Sequence, residues 1–178
     1  MSLLKPTKCF DKLTDISVDE VKKFNVETIL LDIDNTLAVP DSKEPFDGVL
    51  NWLKEMEKEK FKLLIISNNT KERVESFAKT VNLRGIYHAK KPMPFKVKKA
   101  IGKEIKKTLM IGDQIFTDIL LANLSGMKSI LLNPQAKDPE ILSFKIKRKV
   151  EKFLKKSFIK NEESSKVWWH ESFNVTWT

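Results

Sequence analysis

The sequence predicts an α/β fold in which helices cover both faces of a doubly wound, parallel, five-stranded sheet. Two observations support this prediction. Short runs of β-branched and aliphatic residues alternate along the chain with longer segments of helical periodicity. Pro, Gly, Asn or Asp introduces each helical segment. This alternation favours parallel strands joined by right-handed crossovers, because each helix must return the chain to the same edge of the sheet.

The predicted elements follow one another in a regular order. The five strands lie at residues 26–33, 61–66, 85–88, 108–111 and 128–132. The four helices between them lie at residues 47–59, 71–81, 94–105 and 115–125. A chain of 178 residues that is 41% hydrophobic suffices for one domain with a sizeable core. We therefore predict a leading segment over 1–25, a domain over 26–135, a basic amphipathic helix over 136–160 and a mobile tail over 161–178.

The formal net charge of +9 is concentrated near the C-terminus. Between residues 145 and 160 only Glu151 opposes a set of basic residues, which are Lys145, Lys147, Arg148, Lys149, Lys152, Lys155, Lys156 and Lys160. The apolar residues of 139–160 fall near one face of a helix, as in helices that lie on anionic membranes. A helix packed on the domain with a solvated basic face would show the same pattern, and nucleic acid would be attracted by the same charge.

Cysteine usage and hydropathy bear on the compartment. The lone Cys9 excludes an internal disulfide framework, and no secretory signal precedes it. No apolar run reaches the roughly 18 to 20 residues that span a bilayer. We therefore expect a cytoplasmic protein, with any membrane association peripheral and at the inner face.

Two carboxylates end the first predicted strand. In the segment Leu30-Leu31-Asp32-Ile33-Asp34-Asn35-Thr36, the side chains of Asp32 and Asp34 point the same way, because residues two apart in an extended chain share a face. Open α/β sheets bind ligands at this end of their strands. An isolated Asp-x-Asp pair could also be explained without a site, because Asp often caps the end of a strand and the turn that follows it.

Three further polar clusters follow later strands, and they are Ser67-Asn68-Asn69, Lys91-Pro92 and Gly112-Asp113 with Asp118. Each has a structural explanation when taken alone: a helix N-cap, a solvated lysine, and a helix cap with a first-turn acid. Their succession at consecutive strand ends is what points to a site.

The four clusters together resemble the four-motif signature of the haloacid dehalogenase-like phosphatases, over residues 26–133. More narrowly, Leu-Asp-Ile-Asp-Asn-Thr-Leu around Asp32, Ala89-Lys90-Lys91-Pro92 and the Gly112 to Asp118 segment resemble the YqeG-type subgroup, which is similar to the mitochondrial phosphatidylglycerophosphatases. The opening Leu3-Leu4-Lys5-Pro6 resembles the start of that subgroup.

The resemblance implies a catalytic role for three residues. Asp32 would be the nucleophile that is transiently phosphorylated, Asp34 the acid and then the base, and Lys91 the cation that holds both the phosphoryl group and Asp32. Lys91 is preferred to Lys90 because the family's lysine stands immediately before proline.

The resemblance also implies a metal and a phosphate-binding set. Mg²⁺ would be held by Asp32 and Asp113, by the backbone carbonyl of Asp34, and by Asp118 as a ligand or a support. The Ser67 hydroxyl and the amide groups of Asn35, Thr36 and Asn68 would bind the phosphoryl oxygens.

The spacing of the motifs bears on the substrate. Neither gap between the first three motifs can hold the cap domain that metabolite phosphatases of this superfamily usually carry, so we expect an open site. The resemblance, together with membrane binding by the basic helix, implies hydrolysis of phosphatidylglycerophosphate to phosphatidylglycerol. The residues expected to bind the membrane are Lys145, Lys147, Arg148, Lys149, Lys152, Phe153, Lys155 and Lys156.

Two alternative functions stay open. One is a capless phosphatase of phosphoproteins or polynucleotide 3′-phosphates, and the other is a non-enzymatic scaffold or RNA-binding protein. We do not expect nucleic acid to be the partner.

Overall fold

The computed structural model describes residues 3–136, 149–151 and 154. Within them, one parallel sheet contains six strands, which are β1 (Lys8–Phe10), β2 (Thr28–Leu31), β3 (Lys62–Ile66), β4 (Arg84–Ile86), β5 (Thr108–Gly112) and β6 (Lys128–Leu132). Their order in the sheet is β1-β6-β5-β2-β3-β4, so β2 lies at the centre. The doubly wound α/β prediction is confirmed.

The prediction of five strands is wrong by one. The sixth strand, β1, comes from the leading segment and pairs Cys9 with Leu131 of β6. It has only three residues, Lys-Cys-Phe, which is too short to show an alternating pattern. It is an edge strand whose order depends on pairing with β6 rather than on local propensity.

Five α-helices connect the strands, and they are α1 (Val18–Lys22), α2 (Val49–Lys58), α3 (Lys71–Thr80), α4 (Phe95–Ile101) and α5 (Leu120–Ser125). Side-chain caps begin α1 and α3, where Ser17 accepts a hydrogen bond from the N–H of Glu20 and Thr70 accepts one from the N–H of Arg73. The helix predicted over 94–105 ends early, because Gly102 has a φ of 62° and the chain continues as a 3₁₀ turn to Lys107.

The sheet is buried on both faces, and the alternation along β2 shows why. Ile29 and Leu31 enter one core with the buried side chains of α2 and α3. Leu30, between them, enters the second core with α4 and α5. All four residues of β2 are therefore buried, which is typical of a central parallel strand.

The leading segment also contributes to the first core. Leu13, Ile16 and Val21 are buried there, and the Nε1–H group of Trp52 donates to the carbonyl of Ile16 at 2.7 Å. The leading segment therefore packs on the domain as part of this core.

Most of the predicted basic helix lies outside the described residues. This holds for Lys145, Lys147, Arg148, Lys152, Phe153, Lys155 and Lys156, and for the tail over 161–178. Lys149 is described, and it is helical and exposed. Among the described residues, no helix has both the length and the apolar character needed to cross a bilayer.

Candidate active site

The predicted motifs meet at one edge of the sheet. Asp32 directly follows β2, Ser67 directly follows β3, and Asp113 directly follows β5. These three strands are neighbours in the order β5-β2-β3, so their carboxyl ends lie side by side. Lys91 follows the next strand, β4, after a loop of four residues.

Lys91 lies buried between two carboxylates. Its Nζ is 2.7 Å from Oδ1 of Asp32 and 2.7 Å from Oδ1 of Asp118, and it donates to the carbonyl of Ile66 at 3.2 Å. Only 3% of the Lys91 side chain is exposed, whereas Lys90 is an exposed residue. The structure thus brings Lys91, and not Lys90, into contact with Asp32, the predicted nucleophile.

Asp32, Asp113 and Asp118 form a buried acidic cluster. One carboxylate oxygen of each lies within 4.8 Å of the others, which is the arrangement that a single cation needs. Three ionised carboxylates with one ammonium would leave a net charge of two negative units in a place that is largely shielded from solvent. Oxygen ligands and an excess of negative charge fit a hard divalent cation.

The electrostatics of the cluster reflect this excess. Burial raises the pKa of Asp32 to about 8; the Lys91 ammonium opposes the rise, and the carboxylates of Asp118 and Asp113 add to it. Burial lowers the pKa of Lys91, but the two carboxylates outweigh burial and raise it above its ordinary value. The cluster therefore favours a charged Lys91 and disfavours ionisation of Asp32 until further positive charge arrives.

Gly112 makes room for Asp118. A Cβ atom at position 112 would lie 2.4 Å from Oδ2 of Asp118, far inside van der Waals contact. The same oxygen accepts a hydrogen bond from the N–H of Gln114 at 3.1 Å. The absence of a side chain at position 112 therefore lets this carboxylate approach the backbone closely.

Asp34 stands apart from the acidic cluster. Its Oδ1 accepts from Nη2 of Arg73 at 3.1 Å and its Oδ2 accepts from Nδ2 of Asn69 at 2.6 Å. The Asp34 side chain is 26% exposed, against 8% for the Asp32 side chain, so Asp34 is the more accessible of the two to solvent. The predicted metal contact of Asp34 is through its backbone carbonyl, and it stays a prediction.

Sequence reasoning missed Arg73 and Asn69. In the sequence, Asn69 is only the last residue of a polar cluster. No short-range sequence pattern connects Arg73 of α3 with the first motif. A signal was available in principle: Arg73 lies in the first turn of a helix that follows a predicted motif, and such a residue faces the same edge of the sheet.

Asn68 and Ser67 support the motif loops through their side chains. Oδ1 of Asn68 accepts from the N–H of Lys91 at 2.6 Å, and its Nδ2 donates to the carbonyl of Lys91 at 3.1 Å. The buried Ser67 hydroxyl accepts from the N–H of Asn69 at 3.1 Å, which leaves its own proton for another acceptor. The side chain of Asn68, predicted only as a phosphate ligand, thus fixes the backbone of Lys91.

The amide groups of Asn35 and Thr36, predicted to bind phosphate, donate within their own loop. The N–H of Asn35 donates to the carbonyl of Ala38 at 2.8 Å, and that of Thr36 donates to the carbonyl of Ile33 at 3.2 Å. The loop turns tightly because Asn35 adopts a φ of 58°. Within the described part of the chain, no backbone hydrogen bond engages the N–H of Ile33 or Asp34.

No cap covers the site within residues 32–91. Between β2 and β3 the chain forms a loop and α2, and between β3 and β4 it forms α3. The predicted open site is therefore confirmed for this part of the chain.

Comparison with known proteins identifies the family. The sequence model of the family described as mitochondrial PGP phosphatase matches residues 1–136. The chain belongs to this family. The protein named "Probable phosphatase YqeG" of Bacillus subtilis (strain 168) is 33% identical over 150 residues, which cover 83% of this chain and 87% of that protein. Both findings confirm the resemblance inferred from the motifs.

Solved structures agree with the fold of this family member. An uncharacterised protein from Listeria monocytogenes serotype 4b matches with a TM-score of 0.51 at 16% identity, over 65% of this chain and 85% of that one. A chain from Streptomyces avermitilis MA-4680 assigned to the HAD family of hydrolases matches with a TM-score of 0.50 at 14% identity, over 77% of this chain and 80% of that one. The PGP phosphatase family member therefore has the haloacid dehalogenase fold and is a phosphatase of that type, which leaves the non-enzymatic alternative without support.

Proposed function

We propose that the protein is a Mg²⁺-dependent phosphomonoester hydrolase that acts through an aspartyl phosphate on Asp32 and converts phosphatidylglycerophosphate to phosphatidylglycerol. The observation that carries the chemistry is the buried contact of Asp32 with Lys91 inside a three-carboxylate cluster, while Asp34 is held outside that cluster. The family match supports the substrate.

Asp32 and Asp34 divide the reaction between them. A carboxylate oxygen of Asp32 attacks phosphorus, the ester P–O bond breaks, and Asp34 gives its proton to the leaving alkoxide. A water molecule then attacks phosphorus and loses a proton to Asp34 as the bond to Asp32 breaks, which releases inorganic phosphate. The partial exposure of Asp34 suits this second role, because the same carboxylate must meet both the leaving group and water.

The charged residues around Asp32 would stabilise the transferring group. Lys91 holds the attacking carboxylate and can bind a phosphoryl oxygen, and the Ser67 hydroxyl can donate to another. The N–H groups of Ile33 and Asp34, which lie beside the nucleophile in sequence, are suited to the remaining oxygen. Asp32, Asp113 and Asp118 would hold Mg²⁺, which supplies the positive charge that a dianionic phosphate requires.

The open site favours a substrate whose phosphate group belongs to a macromolecule or a membrane surface. Residues 32–91 contain no cap that would enclose a small metabolite, whereas a phosphate at the surface of a bilayer would remain accessible. The basic residues over 145–160 support attraction to an anionic membrane. We accordingly propose peripheral association with the inner face of the membrane from the cytoplasmic side.

Phosphate release tests both the chemistry and the substrate. Wild type and Asp32→Asn would be assayed with Mg²⁺ on phosphatidylglycerophosphate in mixed micelles and on a soluble aryl phosphate, with chelator as a further control. We expect release from the lipid at a far higher rate than from the aryl ester, abolished by the substitution and by chelator. Turnover of the aryl ester alone would contradict the lipid assignment and favour a phosphoprotein or polynucleotide 3′-phosphate.

A further inference from the structure

Two exposed apolar side chains stand beside the active site. Met93 is 46% exposed and Phe95 is 75% exposed, which is the highest value among the large hydrophobic residues that the structure describes. Met93 lies two residues after Lys91, and two residues span at most about 7 Å of chain. Because Nζ of Lys91 is 2.7 Å from Asp32, this apolar pair belongs to the segment that directly follows the lysine in contact with Asp32.

The backbone presents the pair in a fixed arrangement. Pro92 and Pro94 flank Met93, whose N–H donates to the carbonyl of Lys90 at 2.8 Å. Phe95 begins α4, which is anchored to the second core by the buried Val97. The backbone would therefore lose little conformational freedom if the exposed side chains inserted into an apolar environment.

The surrounding charge is uniformly basic. Residues 89–103 contain six lysines and no Asp or Glu. Lys91 is buried, and the other five are exposed, namely Lys90, Lys96, Lys98, Lys99 and Lys103. Exposed apolar side chains within a lysine-rich segment match a surface with an apolar interior and anionic headgroups.

We propose that residues 90–99, here named the docking loop, bind an anionic lipid bilayer, with Met93 and Phe95 inserted between the headgroups and the lysines at the lipid phosphates. The inference rests on the proposed lipid phosphatase function and names the surface that would deliver the substrate. Docking there brings the headgroup plane to Asp32, so the lipid reaches the nucleophile without leaving the bilayer. A second copy of the chain is disfavoured as the occupant, because two such lysine-rich surfaces repel.

A fluorophore on the loop tests insertion locally. An environment-sensitive dye would be attached at Met93→Cys in a Cys9→Ser background of the full chain, with Leu50→Cys as the matched control, because Leu50 is an apolar residue of α2 that is 42% exposed. We expect a blue shift at position 93 with vesicles containing phosphatidylglycerol, none with phosphatidylcholine alone, and none at position 50. Flotation of the protein with anionic vesicles without a shift at position 93 would overturn the proposal.

A second variant separates docking from chemistry. Replacing both Met93 and Phe95 by Ser should lower hydrolysis of the vesicle-borne substrate by about ten-fold and leave the soluble aryl ester unaffected, because only interfacial binding loses its apolar contact. Unchanged rates on vesicles would contradict the docking loop. Since the dye needs no hydrolysis, a blue shift without any turnover of phosphatidylglycerophosphate would refute the proposed substrate and leave the docking surface standing.

Discussion

Arg73 contacts Asp34, the proposed acid/base residue. Its Nη2 is 3.1 Å from Oδ1 of Asp34, and its side chain is only 14% exposed, so the pair is shielded from solvent on the side of α3. Proton transfer to a leaving group depends on the placement of the donor. We therefore propose that Arg73 is a positioning residue for the proposed protonation of the leaving group by Asp34.

Substitution of Arg73 should affect poor leaving groups most. We expect Arg73→Met to lower kcat for alkyl phosphates by about 10- to 100-fold and to change aryl phosphates much less, because an aryl oxide leaves without a proton. Arg84→Met, at an exposed arginine of β4, is the control. Equal losses on the two ester classes, measured by steady-state kinetics, would show that Arg73 acts only on the fold.

Gly112 is predicted to tolerate no side chain. The Cβ of Gly112→Ala would lie 2.4 Å from Oδ2 of Asp118, and we expect a loss of about 2–4 kcal/mol in the free energy of unfolding, because the buried carboxylate must move. At Gly102, where a Cβ meets nothing within 4 Å but φ is 62°, alanine should cost about 1 kcal/mol. Urea denaturation of both variants measures the difference; similar losses would exclude the clash.

Among single residues, those within a motif could be predicted from the sequence, whereas residues that contact the motif from elsewhere could not. Asp32, Asp113 and Asp118 could be found because each ends or follows a strand, and strand ends converge. The place of Arg73 in the first turn of α3 indicates which edge of the sheet it faces, but its contact with Asp34 could not be predicted, since it joins residues 39 positions apart and depends on how α3 packs. The loop hydrogen bonds of Asn35 and Thr36 depend on a positive φ that the sequence does not fix.

Among the elements, the leading segment is part of the core. Trp52 of α2 donates to the carbonyl of Ile16 at 2.7 Å, and both residues are buried. We expect Trp52→Phe to lower the free energy of unfolding by about 1–3 kcal/mol, because the ring is largely replaced while the Ile16 carbonyl loses its donor. A loss below about 0.3 kcal/mol in urea denaturation would mean that the segment is not held this way.

Elements with a strong periodic pattern were predictable and short ones were not. The central strand β2 and the helix α3 lie close to their predicted ranges, because an apolar run and a regular amphipathic face carry most of the signal. The strand β1 and the π-helical turn Ile115–Ile119 depend on pairing and on the Asp118 contact rather than on local pattern. Their order comes from tertiary structure.

For the molecule as a whole, the uncompensated carboxylates predict how stability responds to pH without metal. The pKa of Asp32 is raised to about 8 in the folded state, against about 3.9 in an unfolded chain, so the folded state binds more protons between these values. Stability should therefore fall as pH rises through this range. In chelator, we expect the free energy of unfolding to drop from pH 6 to pH 8 by on the order of 1–2 kcal/mol more in wild type than in Asp32→Asn. Parallel curves for the two proteins would contradict this account of the cluster.

We propose that Asp32 carries the phosphoryl group during turnover, and trapping that group on the protein tests the proposal. Enzyme mixed with Mg²⁺ and phosphate ester would be acid-quenched within the first turnover, and the aspartyl phosphate reduced or cleaved with a nucleophile and located by mass spectrometry. We predict modification at Asp32 in wild type and none in Asp32→Asn. Modification at Asp34, or turnover without any trapped phosphoenzyme, would contradict phosphoryl transfer through Asp32.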